Sequence, residues 1–572
     1  MSDALFLRHQ ARLECAWQTC RTRDFWSPFP ELPAKYPDSE AAQARALQTF
    51  QAGLGRRFEI EQPGVIDWVG EEVSPYTREP LGISYPRSEL DALFNAATRA
   101  MDAGWREAEP EVRLGVLMEV IDRLYGRLFE IVQAVFHTAG QSFNMSYAGS
   151  GVNALDRGIE ALAYAQDAMR VVPRRARWSR DFGSTTIALD KTYRLVPRGV
   201  AVCFACASFP TWNAFPSMMA SLATGNAVIV KPHPATVLPM AITVEIFRQT
   251  IAEAGWDPNL VTLAMDSVAE PIGRHIVQHP QAAIIDFTGS VAFGSWIEQN
   301  AKASKLVYTE TAGCNTVVLE SCDDLDAALR SLATTLCMFS AQMCTSPQNI
   351  YVPAAGVRVG RGADARMVAL DEVADRLATA VAALTSEPRK ASMILAAVQS
   401  EASLAMLREM ETEGASLGRV LLAPKPYPHP EYPNARTSTP LMLQVDPRAG
   451  ALYRQERFGP VSFVIRTEDA EDALHQATTD VREHGGLTAF LYSTDEAYIA
   501  RAEQAYARAG AQLTINLTGP MPLNFAASYS DYHVTGLNPA GNATLTDHTF
   551  VASRFRVAQS RRPARGEAKG QA

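Results

Sequence analysis

The 572-residue chain is 47% hydrophobic and 20% charged, an ordinary globular composition that suggests roughly three or four structural units. A net charge of −9 gives no basic footprint for nucleic acid or an anionic membrane surface, and no apolar run reaches the length of a membrane span. Eight scattered cysteines do not make a disulfide scaffold, and the opening "MSDALFLRHQARLE" lacks the apolar centre of a secretory signal, so a cytoplasmic protein with reduced thiols is expected.

Residues 1–62, rich in Arg, Gln and Ala around "WSPFPELPAKYP", read as one or two short helices about a loop. Residues 74–87 are extended and turn-rich, and the apolar spacing from 88 to 170 is helical. The basic stretch 171–199 favours strands and turns at "DFG", which predicts an extended hairpin. Short apolar runs without strict alternation follow at 199–208, 227–232, 260–265 and 282–290, with helical segments between them. Buried parallel strands with crossover helices produce this rhythm, so an α/β fold with a doubly wound sheet is expected over 199–305. A second strand–helix series starts at 306, and its first helix carries a stripe at Leu325, Leu329, Leu332, Leu336, Phe339 and Met343. The last sixteen residues, 557–572, lack apolar content and are expected to form a flexible tail.

Several residues in this frame could carry chemistry. Cys337 and Cys344 are seven positions apart; Cys337 lies beside the leucine stripe, whereas Cys344 falls where the stripe ends, three residues before Pro347. A buried thiol and a nucleophile both fit Cys344 at this point. Glu310 follows an apolar strand and precedes a small-residue turn, so it faces either a pocket or solvent. In "FTGSVAFG", Gly289 permits close backbone approach and Ser290 opens a helix whose free N–H groups suit phosphate, although no G-x-G-x-x-G fingerprint is present. Lys231 ends the strand of "VIVKPHP", where parallel sheets bind ligands. His275 and His279 have metal-ligand spacing without a third ligand, so solvated helix positions are expected and no metal is assigned. Cys203 and Cys206 are expected to be packing residues.

The order of these features is more specific than any one of them. Lys-Pro after the second strand, "FTGS" before a helix, strand-end Glu310, Cys344 thirty-four residues beyond it, and "ERFGP" at 456–460 together resemble the NAD(P)-dependent aldehyde dehydrogenase superfamily over residues 63–556. The N-terminal extension and "FPTWNAFPSMMASLATGNAVIVKPHP" look most like the ring-opening aldehyde dehydrogenases of phenylacetic acid degradation. The resemblance implies a Rossmann-type cofactor domain at 63–305, with the hairpin 171–199 as an oligomerisation element, and an α/β catalytic domain at 306–515. Residues 516–556 would return to the cofactor domain and add an oligomerisation strand, giving a homodimer or a dimer of dimers.

By the same resemblance, Cys344 is the nucleophile in a pocket that lowers its pKa, Glu310 activates water, and Asn213 with the Cys344 N–H holds the oxyanion. Lys231, with His233 and Pro234 beside it, would meet the adenosine ribose; Gly289 and Ser290 the pyrophosphate; Glu456 and Phe458 the nicotinamide riboside. The substrate would be a small-molecule aldehyde, with a CoA-thioester semialdehyde from an opened aromatic ring among the candidates. Pro234 stands where the family commonly has the ribose-binding glutamate, so NADP is expected, with NAD as the alternative. "NAFP" for "NFP" and a shortened following segment weaken the Asn213 assignment, and with "PHP" and "CTSPQ" they resemble CoA-acylating relatives. Glu310 favours water as the acyl acceptor. The alternatives are acyl-CoA formation and a catalytically idle family member.

Overall fold

The computed structural model describes residues 2–311 and 313–564. Its first sheet has five parallel strands in the order Val261–Leu263, Ala227–Pro232, Val200–Ala205, Ala282–Thr288, Leu306–Glu310. The chain starts at the central strand, builds outward to one side, then returns to build the other. The order therefore reverses between Val200–Ala205 and Ala282–Thr288, and ligands of doubly wound sheets bind outside the carboxyl ends at such a reversal. Both central strands are apolar and largely buried because helices cover the two faces.

The second sheet has seven strands, all paired in parallel except the antiparallel edge strand Gly418–Leu422. From sequence this series begins at 306, but Leu306–Glu310 pairs with Ala282–Thr288 and belongs to the first sheet. Apolar periodicity identifies a strand without naming its partner. Glu310 thus ends the edge strand of the first sheet.

The helix with the leucine stripe runs over Leu325–Cys337 and stops before Phe339 and Met343. Phe339, Ser340 and Ala341 all have φ near +50°, which a continuing right-handed helix does not tolerate. The N-terminal extension forms two helices, Ser2–Thr22 and Ser39–Gly53, longer than the short ones expected. The hairpin forms from strands Arg175–Phe182 and Thr185–Pro197, turning at Gly183 with φ +64°.

A third strand, Phe555–Pro563, pairs antiparallel along Thr185–Pro197, which corrects the expected tail over 557–563; residues 565–572 lie outside the described residues. Eight of its nine side chains are exposed. Backbone pairing alone holds such a strand, and apolar content does not report it.

Candidate active site

A cleft of about 1360 Å³ lies between the two sheets, over the strand-order reversal. Its walls include Cys206, Asn213, Lys231, Cys344 and Glu456. Lys231, His233, Gly289, Ser290 and Phe458 also line it, whereas Pro234 does not.

At one end, Lys231 closes its strand and its Nζ lies 2.7 Å from Asp266 Oδ1. Burial pushes the lysine pKa down, opposed by that carboxylate. Asp266 follows the neighbouring strand Val261–Leu263, and its Oδ2 accepts the Ile272 N–H at 3.1 Å. Gly289 leaves room for the Phe287 ring: a Cβ there would stand 2.7 Å from Phe287 Cζ and push the ring aside. Ser290 caps the helix Val291–Ala301 by accepting the Phe293 N–H, leaving other first-turn N–H groups for an anion. A steric cradle and a helix start at the strand reversal fit a dinucleotide. Glu456 is carried by a loop that Gln348 ties down through the Arg457 N–H and the Tyr453 and Gln455 carbonyls. Burial pushes the Glu456 carboxyl up to about 8.

At the other end, Asn213 lies in the first turn of the helix Pro210–Ala223 and donates from Nδ2 to Glu310 Oε1 at 3.3 Å. His533 Nε2 lies 2.8 Å from the same oxygen and 3.8 Å from Cys344 Sγ. Glu310 is fully buried, and its Oε2 has no hydrogen-bond partner. Asn315 fixes the loop bearing Cys344, donating to the Cys344 and Ser346 carbonyls and accepting the Leu487 and Thr488 N–H groups. Burial first, then the Glu310 charge, push the Cys344 thiol well above its ordinary value, correcting the lowered value expected from sequence. Thiolate formation here therefore needs a proton acceptor, and Glu310 is in place to be one.

Cys337 is fully buried in the core of the second sheet, as expected. Cys203 is buried too, but Cys206 lines the cleft and its thiol donates to Asn213 Oδ1 at 3.5 Å. His279 is not solvated: it is buried, stacked on Phe94 and bonded to Asp91. His275 lines the cleft.

Sequence reasoning missed His533, Asp266 and Glu31, which also lines the cleft. His533 is 223 residues from Glu310 along the chain, in a loop without apolar periodicity that could have placed it. That loop is clamped from beneath. Arg157 donates to the Ala526, Ala527 and Asp531 carbonyls, and Arg23 of the N-terminal extension donates to the Tyr529 carbonyl.

The profile of the aldehyde dehydrogenase family matches residues 69–524. A 1-pyrroline-5-carboxylate dehydrogenase of Bacillus licheniformis is 26% identical over 486 residues, covering 81% of this chain and 84% of its own. The crystal structure of an NAD-dependent aldehyde dehydrogenase from Burkholderia multivorans superposes with a TM-score of 0.93 at 43% identity, covering 99% of this chain and 100% of that one. A Thermus 1-pyrroline-5-carboxylate dehydrogenase with bound NAD shares the fold, with a TM-score of 0.72 at 20% identity over 94% of this chain and 99% of that one. The chain belongs to the aldehyde dehydrogenase family.

Proposed function

We propose that the chain oxidises an aldehyde to its carboxylic acid through a thioester on Cys344. The convergence of Cys344, Glu310 and Asn213 at one end of a dinucleotide-sized cleft carries this reading. Cys344 Sγ attacks the carbonyl carbon while Glu310 takes the thiol proton. Asn213 Nδ2 leaves Glu310 and, with the Cys344 N–H, holds the oxygen of the thiohemiacetal. The dinucleotide, when bound, supplies the hydride acceptor. Glu310, having passed its proton to solvent, then deprotonates a water that cleaves the thioester and frees the acid.

The catalytic end of the cleft is lined by Met145, Phe209, Trp212, Met343 and Phe525, and Glu31 also belongs to the cleft lining. Such walls favour a bulky apolar aldehyde, in keeping with a semialdehyde from an opened aromatic ring, of which phenylacetate catabolism is the proposed source. The relatives named for 1-pyrroline-5-carboxylate make that compound the first comparison substrate. At the other end, the Asp266 carboxylate neutralises Lys231 where a 2′-phosphate would sit. This supports NAD and reverses the preference inferred from Pro234. Exposed Phe182, Ile187 and Val557 on the three-stranded hairpin sheet support a homodimer or a dimer of dimers. Among the described residues no helix is long and apolar enough to cross a membrane.

A panel of aromatic, aliphatic and ring-opened aldehydes, followed by absorbance of the reduced cofactor with and without CoA, tests the reaction. Acid formation without CoA is expected; strict dependence on CoA, or no reduction with any aldehyde, contradicts it.

A further inference from the structure

Cys344 Sγ, Glu310 and His533 place a thiol sulfur, a carboxylate oxygen and an imidazole nitrogen within 4.8 Å of one another. The reaction above uses the first two and leaves His533 without a part. Zinc-class cations take this donor set at bond lengths that put tetrahedral ligand atoms roughly 3.2–3.7 Å apart. The observed separations, 3.8 Å from sulfur to Nε2 and 2.8 Å from Nε2 to Oε1, bracket that range, so small side-chain shifts suffice. A second observation is independent of the spacing: the fully buried Glu310 keeps Oε2 without a hydrogen-bond partner, a lone-pair site in need of a ligand.

His9, Glu119 and Asp122 show similar spacing, but Arg8 and Arg12 already pair their carboxylates, and a cation would meet two guanidinium groups. Among the described residues, Glu310 has the His533 imidazole as its only ion-pair partner, and no guanidinium or ammonium group pairs with it.

We propose that Cys344, Glu310 and His533 bind a divalent transition cation of the zinc class, and that the bound cation silences the enzyme reversibly by holding the sulfur. The binding stands on the geometry of three side chains; the silencing rests on the reading of Cys344 as nucleophile. On binding, the thiol proton passes to solvent and the imidazole carries its one proton on Nδ1, freeing Nε2; no electron is transferred. A water completes the tetrahedron. His533 Nδ1 has no hydrogen-bond partner to orient it, and such second-layer partners are typically worth about 10–100-fold in affinity. The site is therefore suited to reversible rather than permanent occupancy.

The test uses the full chain, reduced with a phosphine, stripped of metal and titrated with Co²⁺ while thiolate-to-cobalt charge-transfer absorbance is read. A band saturating at one equivalent is expected. It should vanish in Cys344→Ser and need at least tenfold more Co²⁺ in His533→Ala and in Glu310→Gln, with circular dichroism confirming that each variant is folded. Zn²⁺ should displace the cobalt and stop turnover, and a chelator should restore it. No band, a band that persists in Cys344→Ser, or unchanged affinity in both other variants overturns the site. Metal binding without inhibition leaves the site standing and overturns the silencing, together with the role given to Cys344.

Discussion

At the end of the cleft proposed for the cofactor, Lys231, Asp266, Gly289 and Ser290 stand at strand ends or a helix start of one parallel sheet. At the catalytic end, Asn213, Glu310, Cys344 and His533 arrive from four distant parts of the chain, and further segments hold them in place. Arg23 and Arg157 secure the loop of His533, and Asn315 secures the loop of Cys344. The first end is a product of topology, because any doubly wound sheet opens a crevice at its reversal. The second is a product of tertiary hydrogen bonds, and single side chains there should matter more.

Three substitutions sharpen this contrast. Asn213→Ala removes the side-chain donor proposed for the oxyanion and should lower kcat by about 10²–10³-fold, while leaving the KM for the cofactor nearly unchanged. An unchanged kcat would move the oxyanion site elsewhere. Asp266→Asn leaves Lys231 without its counter-charge, so the NAD-over-NADP ratio of kcat/KM should fall by about tenfold, a change of roughly 1.4 kcal/mol. A ratio that stays put, or a wild type that prefers NADP, would show that Pro234 decides after all.

The third substitution tests the scaffold of the first sheet and should be silent in catalysis. Glu72 is buried; its Oε1 accepts the Val237 and Leu238 N–H groups at the start of the helix Leu238–Glu253, and burial pushes its carboxyl up to about 7. Because the folded state holds this proton to a higher pH than the unfolded chain, stability is fullest below about 4.5 and declines as pH rises toward about 7. Glu72→Gln should flatten that decline by ~1–3 kcal/mol, read from urea midpoints between those two pH values. An equal slope in both proteins would remove Glu72 from the account.

The same contrast explains what the sequence discloses. Strand runs such as "AVIVKP" and the "FTGS" turn are local signals, so four strands of the first sheet, and the places of Lys231, Gly289 and Ser290 at their ends, can be read directly from the sequence, whereas the fifth strand cannot. Cys344 and Glu310 become legible only through their spacing and order within a family pattern. His533 sends no local signal, since an isolated loop histidine has no periodicity and its partners lie 189 and 223 residues away. Asp266 is hidden in a similar way: it follows a three-residue strand, and its pairing with Lys231 exists only once two parallel strands lie side by side. The leucine stripe misleads in the opposite direction, because Phe339 and Met343 keep helical spacing after left-handed residues have ended the helix.

The central claim is that Cys344 carries the acyl group and Glu310 brings the water that releases it. Glu310→Gln mixed rapidly with aldehyde and cofactor measures this directly, by the burst of reduced cofactor and by peptide mass spectrometry of the quenched enzyme. One equivalent of reduced cofactor per site is expected, formed more slowly than in the wild type because the amide cannot take the thiol proton, then still slower turnover and an acyl adduct on the peptide containing Cys344. An adduct on Cys206 instead, or steady turnover at the wild-type rate without a burst, would contradict the account.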